Sequence, residues 1–155
     1  EENIPEDDGR VSLVHGDFRL DNMIFAPNKT EIISVLDWEL STLGHPFADL
    51  AYQCMQLRMP ANSGNMSGLA GCDRNALGIP TEKEYVAQYC QRMDISGIDN
   101  WAFYLAFSFF RLAAIAQGVA KRAQEGNASN KQAMKVGAFV APLAMAALHV
   151  IKTES

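Results

Sequence analysis

His15-Gly16-Asp17-Phe18-Arg19-Leu20-Asp21-Asn22, with Asp37-Trp38-Glu39 beginning fifteen residues after Asn22, holds the residues that decide what this chain is. Both segments are polar and both border β-branched or apolar runs. Val11-Ser12-Leu13-Val14 precedes the first, Asn22 to Phe25 follows it, and Glu31-Ile32-Ile33-Ser34-Val35-Leu36 leads into the second. Pro27-Asn28-Lys29 supplies turn chemistry between the last two runs, so a small β-hairpin is expected, with polar loops at 15–21 and 37–46.

Outward from that hairpin the pattern becomes helical. Ala48, Leu50, Ala51, Cys54, Met55 and Leu57 form an apolar face from Phe47 onward. A stretch rich in Gly, Asn, Ser and Met, 59–80, reads as a long loop, in which Met59 and Met66 either line a pocket or fill gaps. Thr81 followed by Glu84 is a capping box and predicts a helix to about Met93. Asn100 is placed to cap a helix from Trp101 that is apolar almost all round. Ser108, Arg111 and Gln117 interrupt it, which favours a buried central helix over a membrane span. The last apolar segment, from about Gln132 to Ile151, reads the same way. The expectation is one α+β domain over 1–155, its loops on short strands at 11–46 and a helical subdomain at 47–155.

Composition narrows the partners. With 48% apolar and 20% charged residues in 155, the chain can bury a core. Thirteen Lys and Arg against eighteen Asp and Glu leave a net charge of −5, a poor footprint for nucleic acid or an anionic membrane. Cys54, Cys72 and Cys90 have neither CxxC spacing nor an even count, and fit an intracellular, reducing compartment; cytoplasm, mitochondrial matrix and peroxisome are not distinguished. The acidic start, Glu1 to Asp8, has no apolar stretch of the signal-peptide kind and no initiator methionine, which suggests a piece of a longer protein.

The chemistry that fits the two polar loops is phosphoryl transfer. It needs an acceptor hydroxyl held and relieved of its proton, and a divalent cation to neutralise phosphate charge. Magnesium takes hard oxygen ligands, usually only one or two from protein, and Asn22 with Asp37 could be that pair. Asp17 and Asn22 are five apart, the interval found in the protein kinase catalytic loop. Arg19 is placed to stabilise a transferring phosphoryl group. Asp37 follows a β-rich run, where the kinase plan has its second metal-binding aspartate. Taken singly, each of these residues could merely cap a turn; order and spacing together favour the functional reading. Asp21 and Glu39 are candidate substrate or metal contacts, weighed against the commoner role of a solvated or paired carboxylate. Cys54, on an apolar face with no suitably spaced histidine, reads as core, and His45 beside Pro46 as a turn residue.

These motifs, with Ile33-Ser34-Val35-Leu36-Asp37-Trp38-Glu39 and Gly44-His45-Pro46-Phe47-Ala48-Asp49-Leu50-Ala51, resemble the aminoglycoside phosphotransferase (choline kinase-like) family along the whole chain. Phe18 to Met23, Gly78-Ile79-Pro80-Thr81, Tyr104 to Phe107 and Phe110-Arg111-Leu112 more narrowly resemble the phosphotransferase domains attached to acyl-CoA dehydrogenases. The resemblance implies the carboxyl-terminal lobe of a protein kinase-like fold. It implies Asp17 as catalytic base or hydroxyl-orienting residue, Asn22 and Asp37 as magnesium ligands, His15 as a structural residue and Asp49 as a brace for the loop. ATP is the implied co-substrate and a small-molecule hydroxyl the acceptor, with the narrower resemblance pointing to a hydroxyacyl-CoA or related acyl compound. No Gly-rich loop, strand lysine or partner glutamate precedes Val11, so the ATP-clamping lobe is absent from this segment and transfer by it alone is expected to be poor. An acyl-CoA dehydrogenase domain in the same parent chain is a further implied partner. The competing class is a non-catalytic, pseudokinase-like binding module.

Overall fold

The computed structural model describes residues 4–62, 66–126 and 133–154. Its β portion is built from four short strands in two antiparallel pairs. β1 (Ser12–Val14) pairs with β4 (Thr42–Gly44), Leu13 facing Leu43, while β2 (Met23–Phe25) pairs with β3 (Ile32–Val35), Met23 facing Val35. The expected hairpin is therefore the inner of two nested ladders. The outer one includes a strand inside the segment read as loop. Thr42-Leu43-Gly44 is too short and too poor in β-branched residues to announce itself, and it is extended because β1 supplies its partner. Nesting has a geometric consequence: with Val14 opposite Thr42 and Met23 opposite Val35, the intervening segments 15–22 and 36–41 must lie side by side.

Five helical segments follow: α1 (Phe47–Arg58), α2 (Glu82–Arg92), α3 (Trp101–Gln124), the short α4 (Ala133–Val136) and α5 (Val140–Glu154). The final apolar segment is thus broken at 137–139 by a 3-10 turn, and Gln132 lies outside the described residues. Gly137 is needed at that break, since a Cβ there would come within 2.9 Å of the Ala120 Cβ. The capping box forms: Glu84 N–H donates to Thr81 Oγ1 at 3.2 Å, and Thr81 N–H donates to the Glu84 carboxylate at 2.8 Å. Asn100 departs from expectation. It takes a left-handed conformation, φ 54°, with no side-chain cap, and its backbone carbonyl instead accepts from Phe103 N–H.

α3 is the central helix. Among its buried residues, Ala102, Ala106, Phe109, Ala113, Ala116 and Ala120 recur in alternating steps of four and three, a seam of mostly small side chains with Leu105 and Ser108 buried beside it. Leu143, Ala147 and Val150 of α5 and Cys54 and Met55 of α1 join this core. Burial is one-sided, correcting the picture of a helix enclosed all round: Phe107, Phe110 and Ile115 are 50%, 62% and 44% exposed. By length and composition alone Trp101–Gln124 could cross a membrane. Met59 is buried and Met66 packs on the same core, so both fill gaps. Cys54 is fully buried and burial pushes its thiol up to about 12, which removes it as a nucleophile.

Charge ties the helix ends. Arg58, closing α1, binds Glu82 through Nε and Nη2, each at 2.6 Å, and Glu154 near the end of α5 through Nη1 at 2.5 Å. Trp101 Nε1 donates to the same Glu82 at 2.9 Å, so four helices meet at one fork. The hydrogen bonds from Arg58 hold the Glu154 pKa below its ordinary 4.5. A lowered folded-state pKa stabilises above the unfolded value and is lost as pH falls through the folded one. Glu154→Gln should therefore lower stability at neutral pH by about 0.5–1 kcal/mol, as for a partly exposed pair. In urea melts the gap to wild type should close below about pH 4, by the same linkage; a gap independent of pH would show that the pair contributes nothing through charge.

Candidate active site

The two adjacent loops are stitched together by backbone and by His15. Leu36 N–H donates to the Asn22 carbonyl at 2.8 Å, extending the inner ladder by one step. His15, 2% exposed, has both ring nitrogens engaged: Nδ1 accepts from Asp17 N–H at 3.2 Å, which makes Nε2 the donor to the Leu36 carbonyl at 2.7 Å. Neither nitrogen is open, and the ring links the two loops. Trp38 packs against its ring at 4.7 Å between centroids.

Asp49, in the first turn of α1, reaches across to the same loop. Its Oδ2 accepts His15 N–H at 2.6 Å and its Oδ1 accepts Gly16 N–H at 3.0 Å. Two backbone donors that a tight loop would otherwise leave unmet are satisfied by one carboxylate, and the helix N-terminus favours negative charge there. Gly16 is obligatory on two counts. Its φ is +84°, and a Cβ would fall 2.5 Å from the Leu40 carbonyl oxygen, a backbone atom with little room to retreat.

Asp17 is held on the far side of this turn, its side chain 22% exposed. Asn22, buried, donates through Nδ2 to the Asp17 carbonyl at 2.9 Å and to its Oδ2 at 3.0 Å. Arg19 Nε lies 3.4 Å from the same Oδ2, an ion pair without a formed hydrogen bond. Asp37 follows the Leu36 crossing directly, exposed and left-handed at φ 65°, a conformation an Asp tolerates better than most residues. Asp21 is 79% exposed and lies 3.7 Å from Arg19, and Glu39 sits exposed on the 3-10 turn Trp38–Leu40. Among the described residues no three His, Cys, Asp or Glu side chains converge on a metal position.

Two neighbours of the loop carry no site role in the sequence reading. Tyr52 of α1 goes unremarked there, and Arg111 of α3 appears only as an interruption of an apolar helix and within a resemblance motif, yet Arg111 Nη2 donates to the Gly16 carbonyl and Tyr52 lies close enough to Asp17 for that carboxylate to raise its phenol's pKa. Only tertiary packing brings them there. His45 does more than turn the chain: it stacks on Tyr104 and contacts Asp8 at 3.2 Å.

A family model described as the phosphotransferase enzyme family matches residues 1–92. Acyl-CoA dehydrogenase family member 10 of Mus musculus is 54% identical over 135 residues, covering 87% of this chain and 13% of its own length. Acyl-CoA dehydrogenase family member 11 of Homo sapiens is 42% identical over 151 residues, with coverages of 97% and 19%. A crystal structure from Ralstonia eutropha, of a protein provisionally described as an aminoglycoside phosphotransferase, superposes with a TM-score of 0.90 at 46% identity, over 97% of this chain and 46% of that one. The chain thus spans a fifth or less of these two curated relatives and under half of the solved one.

Asp49→Ala leaves two inward amides unmet, and hydrogen bonds to a charged group contribute about 1.5–3 kcal/mol each. Chemical denaturation should show a loss of about 3 kcal/mol or more on that basis. A loss below about 1 kcal/mol would mean that water replaces the carboxylate at small cost.

Proposed function

The chain belongs to the phosphotransferase enzyme family, and from that membership we propose that it carries the catalytic loops for moving the γ-phosphate of ATP onto a hydroxyl of a small molecule. The observation that carries this reading is the convergence of the loops: the Asp17 carboxylate is oriented by Asn22, and Asp37 stands one residue beyond the backbone bond that joins Leu36 to Asn22. In the reaction Asp17 accepts a hydrogen bond from the acceptor hydroxyl, points its oxygen at the phosphorus, and takes the proton as the new bond forms. Arg19, beside the Asp17 carboxylate, offsets negative charge on the transferring group.

The donor set suits magnesium. Asn22 commits its amide nitrogen to Asp17, which leaves its oxygen for a cation, and Asp37 offers an exposed carboxylate. Two hard oxygens are what magnesium commonly takes from protein when phosphates complete its shell. Bound there, magnesium would neutralise the phosphate oxygens. Asp21, already facing Arg19, and Glu39 are left to solvent or to the edge of the acceptor pocket.

For the acceptor we infer a hydroxyacyl-CoA or related acyl compound. Support comes from the similarity to segments of acyl-CoA dehydrogenase family members. The acidic balance would suit a cationic aminoglycoside or choline instead.

The test uses the full-length protein that contains this segment, with magnesium and ATP and three acceptors: 3-hydroxybutyryl-CoA, kanamycin and choline. Transfer to the acyl-CoA is expected, and Asp17→Asn should lower kcat roughly 100-fold or more while the fold survives. Transfer to kanamycin or choline alone would keep the chemistry and discard the acyl acceptor. No transfer, with no binding of magnesium and ATP, would leave a non-catalytic binding module.

A further inference from the structure

Arg111 and Tyr52 reach the catalytic loop from α3 and α1, outside segments 15–22 and 36–41. Arg111 Nη2 donates to the carbonyl of Gly16, the peptide group that leads directly into Asp17. The same guanidinium lies over the Tyr52 ring, with its Cζ 5.1 Å from the centroid. Tyr52 is 5% exposed and lies close enough to Asp17 for that carboxylate to raise its phenol's pKa. A buried phenol needs a polar partner, and here that partner is the residue whose direction matters most.

We propose that Arg111 and Tyr52 are positioning residues for Asp17, Arg111 fixing the peptide before it and Tyr52 fixing the direction of its carboxylate. This rests on the phosphotransfer reading above. Asn22 holds Oδ2 from one side and Arg19 approaches the same atom, so a third contact is what prevents rotation about the Asp17 side-chain bonds. Tyr52 supplies it without adding charge. Burial, and then the nearby Asp17, push its phenol up to about 12, so the hydroxyl remains a donor at neutral pH. Arg111 suits its place because one planar guanidinium can stack on a ring and donate from its edge, which a lysine ammonium cannot do. Asp49 holds the amides of His15 and Gly16 while Arg111 holds the Gly16 carbonyl, so the peptide units around this left-handed glycine are gripped from two helices.

The test again uses the full-length protein, with Tyr52→Phe and Arg111→Lys, magnesium, ATP and whichever of the three acceptors wild type uses. Tyr52→Phe keeps the ring and its stacking and removes only the hydroxyl. It should retain its melting midpoint and its KM for ATP within about twofold and lose roughly tenfold in kcat, in line with the cost of a misplaced catalytic group. Arg111→Lys should lose roughly 10- to 100-fold in kcat by the same reasoning, with faster backbone hydrogen exchange confined to residues 15–22. Unchanged kcat in both folded variants would overturn the proposal. So would faster exchange spread over the whole domain, which marks a general packing role. If wild type transfers phosphate to none of the acceptors, the phosphotransfer reading fails separately, and exchange decides the rest: acceleration at 15–22 alone upholds the clamp, and no acceleration overturns it.

Discussion

One carboxylate organises the centre of this molecule. Asp49 accepts the amides of His15 and Gly16 at 2.6 and 3.0 Å from the first turn of α1. That pair of bonds joins the β portion to the helical portion at the point where both matter. Without it the Gly16 turn, left-handed and pressed against the Leu40 carbonyl, would have inward donors and no acceptor. With it, the loop bearing Asp17 and Asn22 inherits the rigidity of a helix packed on the core, and chemistry that depends on fixed geometry becomes feasible.

The rest of the architecture supports that junction. Nested ladders bring loops 15–22 and 36–41 together, His15 bridges them through both ring nitrogens, and α1 is held against α3 by a seam of small residues. The Arg58 fork then anchors the far end of α1 to α2, α3 and α5, so α1 is fixed at the end that bears Asp49 and at the opposite one. By contrast the β portion is thinly covered. Leu13, Ile33, Leu40 and Leu43 are all more than half exposed.

Local signals in the sequence were strong where local physics decides. Thr81 and Glu84 announce a helix start because the capping box involves only neighbours, and the inner hairpin is legible from its turn and β-branched runs. Asp17, Asn22 and Asp37 could be picked out because their interval along the chain is itself the signal. What could not be read depends on distant partners. β4 is extended only because β1 lies beside it, and Asn100 offers a plausible cap that the observed turn does not use. Tyr52 and Arg111 are ordinary helix residues until the fold places them at Asp17 and Gly16, from positions 35 and 95 residues away. α3 looks apolar all round, yet only packing decides that its alanine seam is buried and that Phe107 and Phe110 face outward.

In the proposed site the nested strands would bring Asn22 and Asp37 to one cation that also holds the phosphates of ATP. This arrangement is tested most directly by electron paramagnetic resonance titration of manganese, as a stand-in for magnesium, into the full-length protein with ATP. Asn22→Ala and Asp37→Ala should each weaken the bound manganese–ATP signal by roughly tenfold or more in affinity, a first-ligand effect at least as large as that of the residues that orient metal ligands. Binding as tight as wild type in both folded variants would show that the cation is held elsewhere and that the two loops converge for another reason.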